Sequence, residues 1–159
     1  MTEFIATSLF LEKKYGSFEI AVGHLLGGMA VLNSVKQGLK INKAIIIGSG
    51  DIITDILTSF VEKLQFKPKM VQKMKTSFHK KFGKDIDNYS ASVVANNVTI
   101  PILVIHDSED KEVDVSCAYN IRQKLQKGEL LITNGLDQTS ILKDNLVVNR
   151  IIEFIKRAI

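Results

Sequence analysis

The chain has 159 residues and a mass of 17.7 kDa, with 45% hydrophobic and 24% charged residues, two prolines and a mean hydropathy of +0.11. Such a composition excludes a disordered, collagenous or disulfide-stapled chain and predicts a single domain, 1–159, with a sizeable core. No run approaches the roughly 20 apolar residues of a membrane span, and residues 1–11 lack the basic start and cleavage site of a signal peptide, so no membrane and a cytoplasmic location are expected. The lone cysteine, Cys117, has no second thiol for a disulfide or a zinc site, and neither metal nor cofactor is expected.

Charge is uneven. Eight lysines and no acid lie between Lys63 and Lys84, so the net +4 of the chain comes from one segment. The opposite extreme is Asp107 to Asp114, with five carboxylates and one lysine.

Residues 3–14 place Phe4, Ile5 and Leu9 at helical spacing and end in Lys13, Lys14 and Gly16, which predicts a helix. Phe18 to Val22 reads as a short buried strand, followed by a helix over Gly27 to Gln37. Lys43 to Ile47 is a second buried strand. The turn Gly48-Ser49-Gly50 leads to Asp51 as a helix N-cap, with a helix over Ile52 to Leu64. Pro68 opens a further helix that ends near Phe82, and a short helical piece covers Tyr89 to Ala95. Ile102 to Ile105 is a third strand. The helix Val115 to Lys127 is bracketed by Asp114 and Gly128, Leu130 to Thr133 is a fourth strand, and a last helix starts near Asp144. Four apolar strands separated by helices predict the α/β class: three layers, α/β/α, around a parallel sheet of about four strands. Ligands of such sheets bind at the carboxyl ends of the strands, in the loops beginning at Gly23, Gly48, His106 and Thr133.

Three of those loops carry a pattern. Gly23-His24-Leu25-Leu26-Gly27 lies between a strand and a helix, His106 to Asp110 follows the third strand, and Asn134-Gly135-Leu136-Asp137-Gln138 precedes the last helix. In this order they resemble the nucleophile elbow, acid loop and base loop of the α/β-hydrolase superfamily. The resemblance implies that Leu25 stands at the nucleophile position, Asp110 at the acid and Gln138 at the base, with the Leu26 amide as the remnant of an oxyanion hole. Leucine has no nucleophilic atom and a carboxamide is no base, which implies a catalytically degenerate protein acting by binding or assembly. The resemblance also implies that the chain is truncated to the later part of the fold, that residues 51–97 form a helical cap-like insertion, and that a small apolar ligand can occupy the former substrate cavity.

Two other readings stay open. One is an active esterase-like hydrolase that uses residues at the same strand ends, for example a Ser49, His106, Asp110 arrangement, with His24, Ser49 and His106 as candidate pocket residues. The other is a Rossmann-like module that binds nucleic acid or an acidic partner through the lysines of 63–84; lysine without arginine makes nucleic acid the weaker partner. Asp107, Glu109 and Asp110 lack the spacing of a calcium loop. If Phe18-Glu19-Ile20-Ala21-Val22 forms an open sheet edge, a homodimer through that strand is expected.

Overall fold

The computed structural model describes residues 1–158. Helix α1 (Thr2–Tyr15) leads through Gly16 to strand β1 (Ile20–His24), helix α2 (Leu26–Lys36) and strand β2 (Lys43–Ile47). Helices α3 (Ile53–Lys63) and α4 (Lys69–Phe82), a 3-10 turn (Ile86–Tyr89) and helix α5 (Ala91–Ala95) follow before strand β3 (Ile102–Asp107). Helix α6 (Ser116–Lys124), strand β4 (Gly128–Thr133), a 3-10 turn (Ser140–Leu142) and helix α7 (Asn145–Lys156) complete the order. Among the described residues no helix is long and apolar enough to cross a membrane.

The sheet is parallel throughout, in the order β1-β2-β3-β4. Register pairs His24 with Ile47, Ile47 with Ile105, and Asp107 with Thr133, so the carboxyl ends of all four strands open onto one rim. Every residue of β2 and β3 is buried, which explains their unbroken β-branched and leucine runs. Successive side chains alternate: Ala44, Ile46, Ile102 and Val104 pack under α2, α5 and α6, whereas Ile45, Ile47, Leu103 and Ile105 pack against Val147 and Phe154 of α7. Burying each of the isoleucine, leucine and valine side chains contributes about 1.5–3 kcal/mol.

The two faces are covered unequally, and α7 is held to its face by a charge. Lys43, on the α7 side of β2, sends its buried ammonium to the carbonyls of Phe154, Ile155 and Arg157 at the helix end. Those carbonyls are the unsatisfied groups of the last turn and the negative pole of the helix, so a cation there satisfies both.

Several expected boundaries move. Strand β1 runs Ile20–His24, not Phe18 to Val22, because the ladder begins only after the Glu19 carbonyl accepts from the amides of Asn42 and Lys43. Phe18 and Glu19 therefore precede the strand. Asp51 does not cap the helix that follows it. Its Oδ1 accepts from the Ser92 amide at 2.8 Å and so serves α5, while the first amides of α3 are taken by Ser90 Oγ and Asp87 Oδ1. The piece expected over Tyr89 to Ala95 splits at Ser90 into the 3-10 turn and α5. The helix expected to reach Lys127 stops at Lys124, and Gly128 opens β4, where a Cβ would lie 2.8 Å from the Arg122 side chain.

Replacing Lys43 by Met keeps its apolar stem and strips the three carbonyls of their donor. Lys43→Met is expected to lower stability by about 2 kcal/mol, read as the midpoint of urea unfolding, and an unchanged midpoint would contradict this role for the ammonium.

Candidate functional site

The rim is organised by the turn from β1 to α2. One residue, Leu25, makes the turn, with φ 53° and ψ −122°. Positive φ is costly for a branched side chain, so the surroundings must hold it. The Leu25 amide donates to the Ile47 carbonyl at 3.0 Å, and the Leu25 carbonyl accepts from the Gly28 amide at 3.0 Å. The helix then passes so close to the strand that a Cβ on Gly23 would lie 2.4 Å from the Gly27 carbonyl oxygen. A Cβ on Gly28 would lie 2.8 Å from Ser49 Cβ and Oγ. These two glycines are therefore steric requirements of the turn, and they explain the spacing read in the sequence. The amide of Leu26 is a first-turn donor of α2 with no acceptor inside the helix.

Three of the expected site residues converge. The position a Cβ of Gly48 would take is 3.8 Å from Leu25 Cδ2, 3.9 Å from Asp110 Oδ2 and 3.9 Å from His24 Nε2. Asp110 is nearly buried, and its Oδ1 accepts from the amides of Glu112 at 2.8 Å and Val113 at 3.0 Å. Gln138 Nε2 approaches the two Asp110 oxygens at 3.3 and 3.4 Å, long contacts that orient the amide weakly. His106 is fully buried. Its Nε2 lies 2.9 Å from the Val113 carbonyl, which can only accept, so Nε2 carries the proton; Nδ1 has no partner. The same Nε2 is 3.6 Å from Asp110 Oδ2.

Ser49 is not brought into that group. Its hydroxyl donates to the Gly50 carbonyl at 3.0 Å, its side chain packs on Gly28, and it makes no hydrogen bond to His106. His24 keeps an unpartnered, enclosed Nε2 beside the site.

A residue that the sequence reading treated only as one of several acids ties the two loops together. Asp107, fully buried, accepts from the Glu109 amide at 2.9 Å and from the Thr133 hydroxyl at 2.7 Å. Burial pushes its carboxyl up, but the Thr133 hydroxyl and the amides of Glu109, Leu136 and Gly135 outweigh that and hold it below the usual carboxylate range. The apolar run Ile102 to Ile105 ahead of it was the available signal, whereas Thr133 is set opposite only by the register of β3 and β4.

Beside Leu25 lies a cavity of about 550 Å³ between the β1–α2 turn, α3, the acidic loop and α6. Leu25, Leu26, Met29, Ile56 and Phe60 supply its apolar wall, and Gln138 lies on its edge. Cys117 also lines it. Burial pushes that thiol up and the nearby Asp51, Asp114 and Asp55 carboxylates add to the shift, so the group is a poor source of thiolate. Among the described residues no group of three His, Cys, Asp or Glu side chains could hold a metal ion.

The lysine-rich segment forms α4 and its flanks, and α4 buries no residue. Two of its lysines are ion-paired: Lys63 with Glu112 across the cavity, and Lys75 with Asp87 at 2.9 Å. Asp87 also accepts from the Thr54 amide and hydroxyl, so it locks α3 and α4 to the 3-10 turn.

No protein-family model matches this chain, and no curated protein matches it either. Solved structures do. A serine hydrolase from Cycloclasticus zankles superposes with a TM-score of 0.65 at 17% identity, over 94% of this chain and 68% of that one. An α/β hydrolase enzyme from lagoon-sediment metagenome at Mar Chica, Morocco, has a TM-score of 0.65 at 16% identity, over 96% of this chain and 67% of that one. An esterase from a Rhodococcus species has a TM-score of 0.64 at 15% identity, over 96% of this chain and 70% of that one. Others are matched over as little as 56% of their length. The chain thus has an α/β-hydrolase-like fold, with its parallel sheet and rim in place.

The Asp87 lock has a pH signature. Burial raises its carboxyl, but hydrogen bonds from Thr54 and Lys75 prevail and hold it below its ordinary value. Its stabilising contribution is therefore complete above the unfolded carboxylate pKa of about 3.9 and is lost as pH falls through the depressed folded value. Urea unfolding measured at a series of pH values should show that Asp87→Asn flattens the acid limb below about pH 4; an acid limb as steep as in the parent chain would contradict it.

Proposed function

We propose that this chain is a catalytically degenerate α/β-hydrolase-like protein that holds a small, largely apolar ligand and assembles with a second copy of itself. The observation that carries the reading is Leu25, a hydrocarbon side chain held at positive φ on the tight turn between β1 and α2. On this reading Leu25, Asp110 and Gln138 stand where a nucleophile, acid and base would stand, and the Leu26 amide is the remaining oxyanion donor. Residues 51–97 are a cap-like insertion over the site within one domain, and the chain corresponds to the later part of the hydrolase fold.

Acyl transfer needs an atom that attacks and a base that takes its proton, and neither leucine nor a carboxamide supplies one. The substitutes nearby support inactivity. Ser49 gives its proton to Gly50 and not to His106, and the Cys117 thiol is pushed toward its neutral form. What remains is a cavity of about 550 Å³, within the range that holds small molecules.

The parent chain is expected to show no turnover of short acyl esters above a buffer blank. Leu25→Ser combined with Gln138→His should give at most weak turnover, removed again by Asp110→Asn. Turnover by the parent chain that disappears in Asp110→Ala would instead support the active hydrolase, which is what several structural neighbours are named as.

Assembly rests on β1. Among the described residues it pairs only with β2, and Val22 is 56% exposed. Glu19 and Leu25 use their backbone groups toward β2, so by alternation the N–H of Val22 points to the open edge. Helix α1, which packs on α2, exposes Phe4, Leu11 and Tyr15 on one stripe, with Glu3 at its start and Lys13 and Lys14 at its end. A two-fold antiparallel pairing sets each acidic start against the partner's basic end and closes the sheet edge, so a second copy is the occupant that fits. Light scattering is expected to give twice the 17.7 kDa chain mass. Val22→Pro removes the outward donor without touching the β1–β2 ladder and should yield a folded monomer or an insoluble chain. A Val22→Pro protein with unchanged dimer mass, or a parent chain that is monomeric, would overturn this.

A further inference from the structure

The cavity beside Leu25 has an apolar wall and a negative floor. Four carboxylates line it, from Asp51, Asp55, Glu112 and Asp114, against one ammonium, that of Lys63, which is paired with Glu112. Among the described residues the other three carboxylates have no cationic side chain within ion-pair distance. Asp51 is the telling one, because it is only 3% exposed. Its Oδ1 accepts from the Ser92 amide at 2.8 Å, whereas its Oδ2 accepts no protein hydrogen bond among the described residues. Nor is Oδ2 among the sealed polar atoms of the interior, so it keeps accessible surface on a residue that lines the cavity. A carboxylate against hydrocarbon is costly until a donor reaches it, and a cation is the donor that gains most there. The thiol of Cys117 reports the same convergence: after burial and the Asp51 backbone, the carboxylates of Asp51, Asp114 and Asp55 act on it together.

We infer that the cavity takes a small organic ammonium ion with an apolar body, the ammonium at Asp51 Oδ2 and the body against Leu25, Leu26, Met29 and Phe60. The inference rests on the ligand-binding reading above and adds the ligand's charge to it. A neutral molecule of the same shape gains only the apolar wall. A carboxylate ligand meets three uncompensated negative groups and is repelled.

Three probes of matched chain length separate these outcomes: hexylammonium, hexanol and hexanoate, titrated calorimetrically at neutral pH against the full chain. Hexylammonium is expected to bind about tenfold or more tightly than hexanol, and hexanoate not to bind. Asp51→Asn retains an Oδ1 acceptor for Ser92, so α5 keeps its cap, and the ammonium preference should fall to about twofold while hexanol affinity is unchanged. Hexanol binding as tightly as hexylammonium, or an undiminished preference in a folded Asp51→Asn chain, overturns the inference and leaves ligand binding intact. If Asp51→Asn does not fold, the ranking of the three probes on the parent chain decides, with Asp55→Asn as the second variant, expected to weaken hexylammonium alone. Binding of none of the three overturns the ligand-binding reading itself and the inference with it.

Discussion

Everything at the rim depends on how β1 becomes α2 in the space of one residue. The chain can reverse there only if the helix backbone lies against the strand, and it does so at distances where no side chain fits on Gly23 or Gly28. That contact drives Leu25 to positive φ and lifts its side chain above the sheet, beside Asp110 and at the mouth of the cavity. The strain is offset by the hydrogen bonds that tie the turn to Ile47 and Gly28 and by the burial of β2 beneath it. A residue without reactive chemistry thus occupies a backbone site whose cost is hard to rationalise for packing alone. The proposed reading takes this as a functional geometry kept while the reacting atom was replaced.

The second constraint is the uneven cover of the sheet. Helices α2, α5 and α6 shield one face across its width, whereas the α7 cluster on the other reaches Ile20 of β1 but leaves Val22 open. The position of α7 is consequently important beyond its own packing, since the loop carrying Gln138 leads directly into it. The buried Lys43 ammonium fixes the far end of that helix, and Asp144 accepts from the Val147 amide at the near end. A charge in the core of β2 and a cap on the surface together set where Gln138 meets Asp110. The exposed side of β1 and the anchored side of the sheet are two results of the same asymmetry.

The parts of this arrangement that are local were legible in the residues. The four strands show as apolar runs, the turn at Leu25 shows as glycines at fixed offsets, and Asp110 shows as an acid after a buried strand, because sterics and burial act within a few neighbours. What needed distant partners was not legible. Asp51 looks like a cap for the helix that follows it, yet it serves Ser92, because Ser90 and Asp87 from the next turn already hold the α3 amides. Lys43 falls in a run read as a buried strand, yet the acceptors that make its burial tolerable are carbonyls more than a hundred residues away in sequence. Where β1 starts is decided by the Asn42 and Lys43 amides and not by its own hydrophobicity. Asp107 gains its importance only when Thr133 is set opposite in register.

On the proposed reading, the leucine and the glutamine at the rim are consistent with each other. Asp110 is satisfied by the amides of Glu112 and Val113 in its own loop, so it keeps its place with a glutamine at 138. A glutamine at 138 can donate weakly to that carboxylate but cannot cycle between charged and neutral forms, so it can neither take nor return a proton. With no proton transfer to support, a hydroxyl at position 25 would only add an unsatisfied polar group to an apolar wall, whereas leucine extends that wall. On the proposed reading the leucine and the glutamine therefore act in the same direction, turning a place suited to bond cleavage into one suited to retention, with Asp51 as the group that would discriminate among what is retained.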